Sequence, residues 1–114
     1  MINKLHRTIN SLLKKNYTIE FYTDNNFTII LSFYHLNSVY NGLAYINKEN
    51  GNIKIDFQYH AINKTVSEQL KRICENVYKL YYLKQFDLAI NILNNYQNAA
   101  REIYNTKYKK DRKQ

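Results

Sequence analysis

Three histidines, one cysteine and nine dispersed carboxylates are the side chains of this 114-residue chain that could move protons or hold a metal near neutral pH. His35 and His60 each close a stretch of alternating apolar and polar residues. A sheet could make them neighbours with Asp56 nearby, an arrangement that a small hydrolase or nuclease uses for general acid and base work. The plainer expectation is two half-exposed histidines at the rim of a sheet. Cys74 stands beside Ile73 in an apolar helical stripe, where a thiol packs as a small hydrophobe and stays inert. Ser11, Ser32, Ser38 and Ser67 lack a nucleophile-elbow context, and two glycines, Gly42 and Gly51, cannot form a phosphate-cradling loop. One cysteine and three scattered histidines supply no closed zinc set. The expectation is therefore no catalytic residue, no metal and no cofactor.

Cationic and phenolic side chains give the stronger signal, and its chemistry is binding. Seventeen Lys and Arg against nine Asp and Glu leave a net charge of +8, which favours anionic partners. Between residues 101 and 114, six cations (Arg101, Lys107, Lys109, Lys110, Arg112 and Lys113) stand against Glu102 and Asp111, so +4 of the +8 falls in that segment. Tyr104 and Tyr108 are interleaved there and can stack on bases while the lysines neutralise phosphates. A second cationic strip, Lys64, Lys71, Arg72 and Lys79, falls on a predicted helix. Twelve tyrosines exceed what so small a core can hold, so several among Tyr22, Tyr34, Tyr40, Tyr81, Tyr82 and Tyr104 are expected partly at the surface. There a phenol offers wide contact area with little rotamer entropy to lose. An uncovered sheet face bearing Tyr22, Ile30, Tyr34 and Ile46 would need a partner. The expected partner-binding residues are Lys71, Arg72, Lys79, Tyr104, Lys107, Tyr108, Lys109, Lys110, Arg112, Tyr22 and Tyr34.

Periodicity predicts the elements that position these groups. Ile2, Leu5, Ile9, Leu12 and Leu13 recur at spacings of three and four, predicting an amphipathic helix over residues 2–15. The period then changes to two. Tyr17, Ile19 and Phe21 share one face of a strand, the turn formers Asp24, Asn25 and Asn26 follow, and Phe27, Ile29, Leu31 and Phe33 share one face of the next strand. A shorter strand over 43–47, the turn signal Asn50-Gly51, and the alternation of Ile53, Ile55, Phe57 and Tyr59 complete a four-stranded meander. Thr65 and Glu68 have the spacing of a capping box ahead of a second helix whose stripe is Val66, Leu70, Ile73, Val77 and Leu80. A break near residues 82–85 precedes a third helix carrying Phe86, Ala89, Ile90, Leu93, Tyr96, Ala100 and Ile103, unless the two run on as one bent helix. The expected fold is two-layer α+β in the order αββββαα, a single domain over residues 1–106 with a basic tail over 107–114.

Length and composition bound the rest. The chain suffices for one core and not two. It lacks a run of about 20 apolar residues and a secretory-type start, which predicts a cytoplasmic protein that neither spans nor enters a membrane. Asn, Ile, Lys and Tyr make up 55 residues, all with AT-rich codons, so an AT-rich genome of a low-GC bacterium, phage or mobile element explains part of the Lys excess.

The layout itself, a short first helix, the run from Leu12 to Phe21 opening a meander, the turn at Asp24 to Asn26 and helices from Val66 onward, resembles that of small phage-encoded anti-CRISPR proteins. That resemblance implies a binding protein that inhibits a host nucleoprotein machine by surface contacts, as a monomer or homodimer. Members of that group often mimic DNA with an acidic surface. This basic chain is expected instead to meet an acidic protein surface, or the DNA or RNA of a nucleoprotein complex. Direct nucleic-acid binding through the tail and second helix is the other binding expectation.

Overall fold

Apolar residues at spacings of three and four fold Ile2–Lys14 into α1, with Leu5, Ile9, Leu12 and Leu13 buried along one side. The helix stops at Asn16, whose left-handed backbone (φ 67°) suits asparagine better than most residues. The computed structural model describes residues 2–36, 41–57 and 64–109. Within them follow β1 (Tyr17–Asp24), β2 (Thr28–His35), β3 (Asn41–Asn47), β4 (Ile53–Phe57), α2 (Lys64–Tyr82) and α3 (Phe86–Tyr104), and a π-helical stretch, Asn105–Lys109, continues beyond α3. The strands are antiparallel and lie in chain order across one sheet. This is the expected helix, meander and helical pair.

Alternation directs Ile29, Leu31 and Phe33 of β2 and Ala44 and Ile46 of β3 onto one face, where all five are buried. Ile46 pairs with Ile29 there, so it does not join Ile30 and Tyr34 on the opposite face. That place belongs to its neighbour Tyr45, which stands in a row with Ile30 and Lys54. Tyr22 sits where the register slips between Phe21 and Thr23, a β-bulge that leaves it exposed. Phe27 also departs from its expected place inside a strand. The Asn25 side-chain oxygen accepts the Phe27 and Thr28 amides, both at 2.8 Å, and this turn leaves the Phe27 ring in solvent.

On β3, Gly42 pairs with Phe33, whose fully buried ring fills the space a side chain at 42 would need. Phe57 meets the same ring edge-on at 5.4 Å between centroids.

The helices cover the packed face. α2 already includes Lys64, so Thr65 lies inside its first turn and not ahead of it. Between α2 and α3 the chain breaks cleanly. Lys84 is left-handed (φ 61°), its amide donates to the Tyr81 carbonyl at 3.0 Å, and the Gln85 amide reaches back to the Leu80 carbonyl at 2.7 Å, a Schellman closure made without glycine. α3 runs along β1, and Tyr96 of α3 donates its hydroxyl to the His6 carbonyl of α1 at 3.2 Å. One cluster spanning α1, α2, α3 and the sheet forms the main core, and Leu13, Leu36 and Ala100 form a second near the end of α3. Among the described residues, no helix is long and apolar enough to cross a membrane.

Candidate functional site

The polar sides of α1 and α2 meet in a groove. Leu5, Ile9 and Leu12 of α1 and Leu70, Ile73 and Val77 of α2 enter the same core and bring the two helices together. Their antiparallel seam is fixed by Gln69, which donates to the Ser11 hydroxyl at 2.8 Å and accepts from the Lys15 ammonium at 3.1 Å. Side chains flanking those apolar stripes at spacings of three and four then face one another. Lys4, Arg7 and Thr8 of α1 and Arg72, Glu75, Asn76 and Lys79 of α2 line a groove of about 350 Å³.

Four cations and one carboxylate share this space. The Thr8 hydroxyl donates to the Lys4 carbonyl and the Asn76 amide donates to the Arg72 carbonyl, so both polar groups are occupied by their own helices. Among the described residues, ion pairs join Lys48 to Asp24 and Lys54 to Asp56, and neither pair is in the groove. Lys4, Arg7, Arg72 and Lys79 therefore outnumber Glu75, and the groove carries a net positive charge. Such a site attracts phosphate or carboxylate, and a guanidinium can grip either with two parallel hydrogen bonds.

Of the partner-binding residues expected from the sequence, Arg72 and Lys79 line this groove. Lys71 is exposed but sits about a quarter-turn from Arg72 and does not line it. Tyr22 is at the bulge in β1. Tyr34 and Tyr104 line a separate cleft of about 380 Å³ with His35, Leu36, Ala100, Arg101 and Asn105. There the Tyr34 hydroxyl donates to the Glu20 carboxylate at 3.4 Å. Burial, then the Glu20 charge and this hydrogen bond, raise the Tyr34 pKa against the opposing pull of Arg101. Lys107, Tyr108 and Lys109 continue the helical run beyond α3, whereas Lys110 and Arg112 lie outside the described residues. Lys4 and Arg7 were not singled out by the sequence. Their signal was a pair of cations three apart on the polar face of an amphipathic helix, which gains meaning only when α2 is known to lie beside it.

Of the groups considered for catalysis, His35 and Asp56 stand apart. His35 packs edge-on against Tyr17 at 4.9 Å between ring centroids, and burial lowers its pKa. Asp56 stands in a row with Leu43 and Ser32 on the open sheet face, whereas His35 lies three residues beyond Ser32 with the opposite pleat, so the two do not meet. His60 lies outside the described residues. Among the described residues no three His, Cys, Asp or Glu side chains come together as metal ligands.

Cys74 is fully buried, and burial foremost, with the nearby Glu75 charge second, pushes its thiol up to about 12. The native protein is expected to resist an aromatic disulfide reagent at pH 8 and to react with one equivalent in denaturant. Fast labelling of the folded protein would show that the thiol is accessible. Because the folded state holds this proton more tightly than the unfolded chain, the contribution to stability is full below the ordinary thiol pKa of 9.0 and is lost as pH rises toward about 12.

No protein-family model matches the chain, and no curated protein or solved structure is significantly similar to it.

Proposed function

We propose that this is a non-enzymatic binding protein whose α1/α2 groove holds nucleic-acid phosphates, with a host nucleoprotein machine as the target it inhibits. The observation that carries the reading is the meeting of Lys4, Arg7, Arg72 and Lys79 around one carboxylate, Glu75. A polyanion suits such a groove better than a small substrate. Its condensed counterions are released on contact, a gain that needs no desolvated pocket and grows with the number of phosphates touched. The resemblance in layout to small phage-encoded anti-CRISPR proteins supports a nucleoprotein target, in which a guide or target strand offers those phosphates.

Fluorescence anisotropy of a labelled oligonucleotide across a salt series tests the groove. Four phosphate contacts give a slope of log K against log salt of roughly −3 to −4, independent of base sequence. Absence of binding at about 50 mM salt, where such contacts are strong, would falsify the reading. Stoichiometric inhibition of cleavage by a CRISPR effector complex is the matching test of the target.

A further inference from the structure

We infer that the strand held by the α1/α2 groove is single-stranded, with one of its bases stacked on Tyr82; this rests on the phosphate-binding reading above. Tyr82 is the last residue of α2 and stands three positions after Lys79, the last α2 residue to line the groove, so the two project from neighbouring parts of one helix surface although Tyr82 itself lies outside the groove lining. The residue is 73 % exposed, although an aromatic side chain of this size ordinarily covers core. The ring is backed by half-buried Tyr78, with 6.3 Å between centroids, and the left-handed Lys84 turns the chain away immediately afterwards.

Space for a base lies beside it. Tyr82 borders a cleft of about 480 Å³ whose other walls are Tyr81, Phe86, Lys48, Lys84 and Asp87. Lys48 is held in place by its ion pair with Asp24 and by the Tyr81 ring, 5.2 Å below its ammonium. Cations therefore lead along the groove to Lys79, and one helical turn further on stands an aromatic platform beside a roomy cleft in which Lys84 faces Asp87 and Lys48 is already paired with Asp24. In a duplex the base faces are stacked on one another and only their edges are reachable. In a single strand, a phosphate at Lys79 leaves its base free to turn onto the Tyr82 face.

The test compares a labelled single-stranded oligonucleotide with the corresponding blunt duplex, against the full chain and Tyr82→Ala and Tyr82→Phe variants, at one low salt concentration and across a salt series. Tyr82 is exposed and outside the core, so Tyr82→Phe keeps its contact with Tyr78 and Tyr82→Ala gives up only that surface contact. The single strand is expected to bind more tightly than the duplex, Tyr82→Ala to weaken it about ten-fold with no change in salt slope, and Tyr82→Phe to bind like the parent. Equal affinity for the two forms with an indifferent Tyr82→Ala overturns the inference and leaves the phosphate groove standing. Failure of both forms to bind removes the groove reading and this inference with it.

Discussion

Arg7→Glu combined with Arg72→Glu is expected to weaken oligonucleotide binding about a hundred-fold at low salt and to make the salt slope shallower by about two. The two guanidiniums come from opposite walls of the groove, so the double change halves its cations and places two new carboxylates beside Glu75. Each lost phosphate contact gives up its released counterions, and each new carboxylate repels the strand. Both arginines are exposed and enter no ion pair among the described residues, so the thermal midpoint is expected to stay within a few degrees of the parent. Affinity that survives the double reversal would move the phosphate contacts elsewhere, with Lys107 and Lys109 beyond α3 as the next segment to neutralise.

The largest effect on stability is expected from Gly42→Ala. A Cβ on residue 42 would overlap Cζ of Phe33 and stand 2.5 and 2.6 Å from its Cε atoms, far inside van der Waals contact. A ring at the surface would swing aside. Phe33 is 0 % exposed and wedged edge-on against Phe57, so relief requires the β2/β3 pairing to open or the ring to leave its rotamer. Overpacking of this kind costs about 3 kcal/mol, read as a lower midpoint in urea denaturation at unchanged slope. Phe33→Leu in the Gly42→Ala background separates the causes. If the clash is responsible, the double variant is less destabilised than the two single changes added together; simple additivity would show that it is not.

The elements were legible in the sequence wherever period and turn chemistry agreed. The change from spacings of three and four to alternation near Tyr17, and back again near Val66, marked the passage from helix to meander to helices. Asn50-Gly51 marked the β3/β4 turn, where Gly51 is left-handed at φ 77°. Departures came where a local contact overrode the pattern. Phe27 continued the alternation of β2, but the Asn25 side chain captured its amide for the turn. Ile46 was assigned to the wrong face because the alternation of β3 is weak, with Leu43, Ala44, Tyr45 and Ile46 all apolar or aromatic; pairing with Ile29 settles it.

The candidate site was only half legible, for a different reason. Arg72 and Lys79 belong to a visible cationic strip on one helix, whereas Lys4 and Arg7 are separated from them by more than sixty residues of chain. Their convergence depends on α1 packing antiparallel to α2, which no short-range pattern encodes. The same limit applied to catalysis, since alternation could place His35 and His60 at strand ends with Asp56 nearby but could not show that His35 and Asp56 lie on opposite faces.

The packing of α3 along β1 has a consequence for how the molecule is made. Each hairpin of the sheet joins neighbouring stretches of chain, so the meander can zip up while synthesis is under way. The edge strand and the helix beside it are the exception, for more than sixty residues separate Asp24 from Phe86. Until α3 has left the ribosome, Phe21 lacks the Phe86 ring that meets it at 5.8 Å, and the flank of β1 stays wet. A nascent chain stalled before Phe86 is therefore a bare-edged sheet, open to pairing with its neighbours on a polysome, and the final helix acts as an intramolecular chaperone for the first strand.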